Sequence, residues 1–175
     1  MKPDPDTGAI PAYAAVLFYL ASYSFVSVGA FTVLSELGGR GERYLKAEDF
    51  AGLGTRQPFA AAMMALFLLS LLGLPITAGF FGKLYIFKAA VKSNLLWLAI
   101  LMAVNSVIGA YYYLKVIIVM YMREYKGTEP ADSSGLSATA AMVVTVAALI
   151  TLYLGLAPNH ILGIVLSQNL ILSSR

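Results

Sequence analysis

Between about Phe59 and Val91 the chain stays largely apolar for about 33 residues. A straight helix of that length would measure roughly 50 Å at 1.5 Å per residue, against a hydrocarbon core of roughly 30 Å. The segment therefore cannot be one ordinary straight crossing. Its middle reads Gly73-Leu74-Pro75-Ile76-Thr77-Ala78-Gly79-Phe80-Phe81-Gly82. Pro75 removes a backbone donor and clashes with the preceding turn, while the glycines relax the backbone. The pattern predicts two half-helices joined by an unwound link near Pro75, with Gly73, Thr77, Gly79 and Gly82 belonging to the break. Non-helical backbone at membrane depth survives only where protein or a water-filled cavity satisfies its polar groups, so such a link points to a hydrated path or site.

The rest of the chain fits a membrane setting. Of 175 residues, 59% are hydrophobic and 12% charged, about half the charged fraction of an ordinary soluble domain. The expected fold is an all-α integral membrane protein with four transmembrane helices, the second discontinuous. The spans are about Pro11 to Ser35, Phe59 to Val91, Ser93 to Met122, and residues 136–157 with Ala157-Pro158 at the stop. Residues 161–172 are apolar but too short to cross and are expected to lie at the interface. The N-terminal Met1-Lys2-Pro3-Asp4-Pro5-Asp6 lacks the build of a signal peptide, so the first apolar segment is expected to be retained.

Several function classes are excluded or disfavoured. There is no cysteine and one histidine, so thiolate and multi-histidine metal sites are out and no metal is expected. The net charge of +3 is scattered over loops and helix ends rather than gathered in a phosphate-tracking patch, which argues against nucleic acid. Residues 36–57 hold Glu36, Arg40, Glu42, Arg43, Lys46, Glu48, Asp49 and Arg56 around Tyr44, Leu45, Phe50 and Leu53. They read as a loop with one interfacial turn, on the cytoplasmic side by the positive-inside rule.

Within the spans, Tyr19, Tyr23, Ser27 and Ala30 fall at helical spacing and suggest a helix-packing face. Asn105 with Gly109, and Ser106 with Ala110, suggest another, and Trp97 and Tyr121 are plausible interface anchors. Lys115 follows Tyr111 and Tyr112 by one helical turn; it can snorkel to the interface or act inside the span. His160, beside Pro158 and Asn159, reads as an interfacial histidine.

Lys83 admits two readings. In one, the span ends near Gly79 and Lys83, Lys88 and Lys92 are flanking positives. In the other, the link lies at depth and Lys83 opens the second half-helix near the midplane, where a charged lysine costs about 2.5–3.5 kcal/mol unless paired, hydrated or neutral. A lysine so poised can exchange a proton. No Asp or Glu lies inside any expected span, so a partner carboxylate would have to come from another segment or subunit.

The run from Phe67 through Gly73-Leu74-Pro75-Ile76-Thr77-Ala78-Gly79-Phe80-Phe81-Gly82-Lys83-Leu84-Tyr85 closely resembles the broken helix of the antiporter-like subunits of proton-pumping NADH–quinone oxidoreductase, respiratory complex I. Asn105-Ser106-Val107-Ile108-Gly109-Ala110-Tyr111-Tyr112-Tyr113-Leu114-Lys115-Val116 resembles the next helix of that family, and Ala51-Gly52-Leu53-Gly54 extends the likeness, which covers about residues 11–165. The resemblance implies that Lys83 is the proton carrier of a half-channel and that Lys115 has a weaker part in translocation. It implies a multi-pass protein of the bacterial inner membrane, partnered by other membrane subunits of a respiratory complex and by the bilayer. No cofactor is expected on this chain; NADH and quinone would be used elsewhere in the complex. The likeness is to the last part of a longer family pattern, whose first broken helix, with its lysines and their glutamate partner, is not among these residues. A multisubunit cation/proton antiporter or membrane-bound hydrogenase subunit, and a purely structural membrane protein, remain alternatives.

Overall fold

A computed structural model describes residues 11–38, 46–124, 135–158 and 160. All regular structure among them is helical: α1 (Ala12–Gly38), a 3-10 helix (Ala47–Phe50), α2 (Leu53–Arg56), α3 (Pro58–Leu72), α4 (Ala78–Lys92), α5 (Leu96–Met122) and α6 (Ala138–Leu156). Among the described residues α1, α5 and α6 are long and apolar enough to cross a membrane. Helices α3 and α4 are 15 residues each. The expected interfacial tail at 161–172 lies outside the described residues.

Helix α1 is the spine. Its residues Val26, Val33 and Leu37 pack with Ala60, Ala61, Met64, Phe67 and Leu68 of α3 and Val144, Ala147 and Ala148 of α6. At its other end Ala14, Ala15 and Phe18 pack with Ala78 and Tyr85 of α4 and Leu154 of α6. So α3 and α4 lie in series along α1, and α6 runs antiparallel to it. Small side chains make the contacts tight: a Cβ on Gly29 would run into the ring of the fully buried Phe67.

Helix α1 continues to Gly38, so Glu36 lies within it rather than at its stop. A distant partner accounts for this: the Glu36 carboxylate accepts a hydrogen bond from the Ser137 backbone N–H at 2.9 Å, at the head of α6. Negative charge is favourable at a helix N-terminus, and the Ser137 hydroxyl caps the same helix by accepting from the Ala140 N–H. The stripe expected at Tyr19, Tyr23, Ser27 and Ala30 sits beside the face that is in fact buried, which is Ala15, Phe18, Ser22, Val26, Gly29 and Val33. Alanine, glycine, serine and valine allow close helix approach, and the tyrosines are left at the margin.

Residues 46–56 fold into two short helices rather than one turn. Phe50 and Leu53 are buried with Val119 and Met120 of α5, so this segment is tucked under the end of that helix. Helix α5 also lies against α3 and α4 but is mostly exposed, with Ala99, Val119 and Met120 its buried residues. Trp97 and Tyr121, near its two ends, are exposed.

Candidate functional site at the helix break

Helix α3 stops at Gly73, two residues before the proline. Gly73 has φ 101° and ψ 49°, a left-handed conformation that costs glycine nothing. It turns the chain so that the Gly73 and Leu74 N–H groups both donate to the Leu69 carbonyl, at 3.0 and 3.1 Å. The latter is the closing bond of a Schellman turn. Leu74 is then held out of the helical region by Pro75, which is exposed on the outside of the link. The Thr77 hydroxyl and N–H both donate to the Leu74 carbonyl, at 2.8 and 2.9 Å, and α4 begins at Ala78.

The start of α4 lies beside the last turn of α3. The Gly79 N–H donates to the Ser70 hydroxyl at 3.3 Å, and a Cβ on Gly79 would collide with the Ser70 carbonyl oxygen, so only glycine permits this approach. One helical turn further along α4, the Lys83 ammonium donates to the Leu71 carbonyl at 2.7 Å and, more weakly, to the Leu72 carbonyl at 3.4 Å. The final carbonyls of a helix have no intrahelical partner and carry the negative end of its dipole. Lys83 therefore caps the broken end of α3 with a positive charge. On the far side, Gly155 of α6 presses against the backbone of Ile76 and Thr77, and Gly82 is buried against Tyr19 of α1.

Lys83 lines a half-open cavity of about 500 Å³ between α1, α3, α4 and α5. Its wall is mostly apolar, with Ile86, Leu98, Leu101 and Met102. Its polar groups are Tyr19, Ser22 and Tyr23 of α1, Ser70 of α3, and Asn105, Ser106 and Tyr113 of α5. Among the described residues no carboxylate lines it. The volume has room for several waters, each roughly 30 Å³ in the liquid. A lysine ammonium has three N–H donors. Two of them can serve the Leu71 and Leu72 carbonyls, which leaves a third donor on the ammonium.

Of the residues singled out in the sequence, Gly73, Thr77, Gly79 and Lys83 meet at this seam. Lys115 does not join them. Its ammonium lies 3.4 Å from the Glu48 carboxylate of the 3-10 helix, with both side chains about half exposed. Glu48 is held below the ordinary carboxylate value, first by its own backbone N–H and then by Lys115. His160 is exposed, with Nδ1 3.1 Å from the Tyr153 hydroxyl. Sequence reasoning missed the Leu71 and Leu72 carbonyls and Ser70, and it assigned Tyr19, Tyr23 and Asn105 to helix packing. The break itself was the available signal, because ending a helix inside an apolar run leaves carbonyls in need of donors. Among the described residues no group of His, Asp or Glu side chains is placed to hold a metal ion.

The family model described as NADH:quinone oxidoreductase/Mrp antiporter, transmembrane, matches residues 7–109, which include the break and Lys83. The chain belongs to this family. Among family members, NADH-quinone oxidoreductase subunit N 1 of Solibacter usitatus is 53% identical over 150 residues, covering 85% of this chain and 30% of that protein. Subunit N 1 of Sorangium cellulosum is 46% identical over 153 residues, covering 87% of this chain and 30% of that one. In the solved structure of respiratory complex I from Thermus thermophilus with bound aureothin, one chain is similar with a TM-score of 0.69 and 29% identity, over 86% of this chain and 34% of that one. The chain thus spans about a third of the length of the relatives it matches. With its long apolar helices, this member of the family is an integral membrane protein.

Proposed function

We propose that the chain forms part of a membrane-arm subunit of a proton-translocating NADH–quinone oxidoreductase in a bacterial inner membrane, and that Lys83 carries the proton. In this reading α3, the link and α4 make one interrupted crossing, so that the membrane is spanned four times. The overlap of α4 with the last turn of α3 supports it, since it shortens a segment too long to cross straight. The observation that carries the proposal is Lys83 itself: a lysine tethered to the last carbonyls of α3 that also lines a polar-edged cavity. The names of the relatives supply the reaction, and NADH and quinone chemistry belongs to other parts of such a complex. Loop 36–57 is cytoplasmic in this orientation. Lys115 takes a lesser part, and its ion pair with Glu48 supports holding α5 to the surface segment rather than passing protons.

The test is proton translocation per NADH oxidised in inverted vesicles carrying the assembled complex, for Lys83→Ala and Lys83→Arg. Both are expected to assemble and to lose most translocation. Arginine keeps the charge and donors for the Leu71 and Leu72 carbonyls but does not release a proton near neutral pH. Full translocation by either variant overturns the role of Lys83. The family description also names Mrp antiporters, and a native gel separates the two: co-migration with NADH dehydrogenase activity supports the oxidoreductase, and its absence together with sodium/proton exchange supports the antiporter.

A further inference from the structure

We infer that Ser70 is a positioning residue for Lys83, setting the register between the two half-helices on which the Lys83 tether depends. The inference rests on the proposed role of Lys83. Ser70 is fully buried, yet it is a polar residue in an otherwise apolar helix, PFAAAMMALFLLSLL. A serine inside a helix ordinarily returns its hydroxyl to a carbonyl of its own preceding turn, as Ser22 and Thr151 do here. The Ser70 hydroxyl uses a lone pair to accept the Gly79 N–H, from the next helix, which leaves its own O–H available to donate. That N–H belongs to the first turn of α4 and has no partner within its own helix.

The arrangement is a ladder with two adjacent rungs. Ser70 is followed directly by Leu71 and Leu72, whose carbonyls accept from Lys83. Gly79 and Lys83 are four apart and share one face of α4. A slide or tilt of α4 against α3 that broke the Ser70–Gly79 contact would draw Lys83 away from both carbonyls. Ser70, Leu71, Gly79 and Lys83 all line the same cavity, so the rung that sets the register is in direct reach of the group it positions.

The test is a double-mutant cycle in the assembled complex, reading proton translocation per NADH for Ser70→Ala, Lys83→Ala and the pair, with assembly followed on a native gel. Ser70→Ala is expected to assemble and to lower translocation by up to about five-fold, the limit set by the change in a two-state equilibrium constant on losing one hydrogen bond of ordinary net strength. Ser70→Cys, which keeps a weaker acceptor of similar size, is expected to recover part of the loss and serves in place of the alanine variant if that fails to assemble. In the Lys83→Ala background the Ser70 change is expected to have no further effect on the residual translocation, because the group it positions is gone. Equal fractional losses in the two backgrounds, or no loss from Ser70→Ala, overturn the inference. Full translocation by Lys83→Ala alone overturns the underlying reading instead.

Discussion

Burying a lysine at the centre of a span costs about 2.5–3.5 kcal/mol on insertion scales. A hydrogen bond from a charged donor contributes about 1.5–3 kcal/mol. In the proposed role of Lys83, the 2.7 Å bond to Leu71, the longer contact to Leu72 and the negative end of the α3 dipole together offset that cost without any carboxylate. A cation so held does not require an Asp or Glu beside it. The partner of Lys83 was illegible in the sequence because a carbonyl belongs to every residue; only the break made these two available. Lys115 shows the converse. Its tyrosine neighbours at one turn were legible, but its ion-pair partner lies on a separate short helix that no periodicity connects to α5. Because Glu48 titrates below its ordinary value in the folded state, its contribution is present above the unfolded value and is lost as pH falls through the folded one. The site is exposed, so salt screens it. Glu48→Gln is therefore expected to change the thermal midpoint of the complex only slightly at neutral pH, and less again at high salt or below the carboxylate range. A large loss of stability that persists in high salt would contradict an exposed pair.

At the scale of the element, the break has separable causes. The sequence reading put it at Pro75, which lies among the residues between α3 and α4. The helix nevertheless ends at Gly73, whose left-handed backbone closes the Schellman turn, and the start of α4 is held by the approach of Gly79 to Ser70. A left-handed φ and a missing Cβ are visible in a sequence only as glycine, which is why the gap between α3 and α4 was legible to within a few residues but its geometry was not. Pro75→Ala is expected to leave the break in place, since the exposed proline makes none of these contacts. Gly79→Ala is expected to force α4 away from α3 and to lose translocation along with Lys83 tethering. Proton translocation and detergent stability of the two variants, measured side by side, decide the point: the order of severity should be Gly79→Ala well above Pro75→Ala, and the reverse order would restore the proline as the cause.

At the scale of the molecule, the fold class was legible because apolar segments of span length have few alternatives. The order of packing was not, since helices that are apolar on every side carry no periodic stripe to name the inner face. Helix α1 shows this in the one-residue offset between the expected and the observed buried stripe. The packing that results leaves a half-open, polar-edged cavity beside α5, whose other face leaves Val104, Val107, Ile108 and Tyr111 exposed. The proposed function depends on that cavity lying within the membrane, with Lys83 inside it and Lys92, exposed at the end of α4, outside. The chain has no cysteine, so a thiol placed at either position is the only one it carries. The decisive measurement is the labelling rate of Lys83→Cys and, separately, Lys92→Cys by a membrane-impermeant maleimide applied to each face of native vesicles, read on the isolated subunit. Rapid labelling at position 92 from one face, with protection or slow labelling at position 83, is the predicted result. Equal labelling of both positions from the same face would contradict it and make Lys83 a flanking charge.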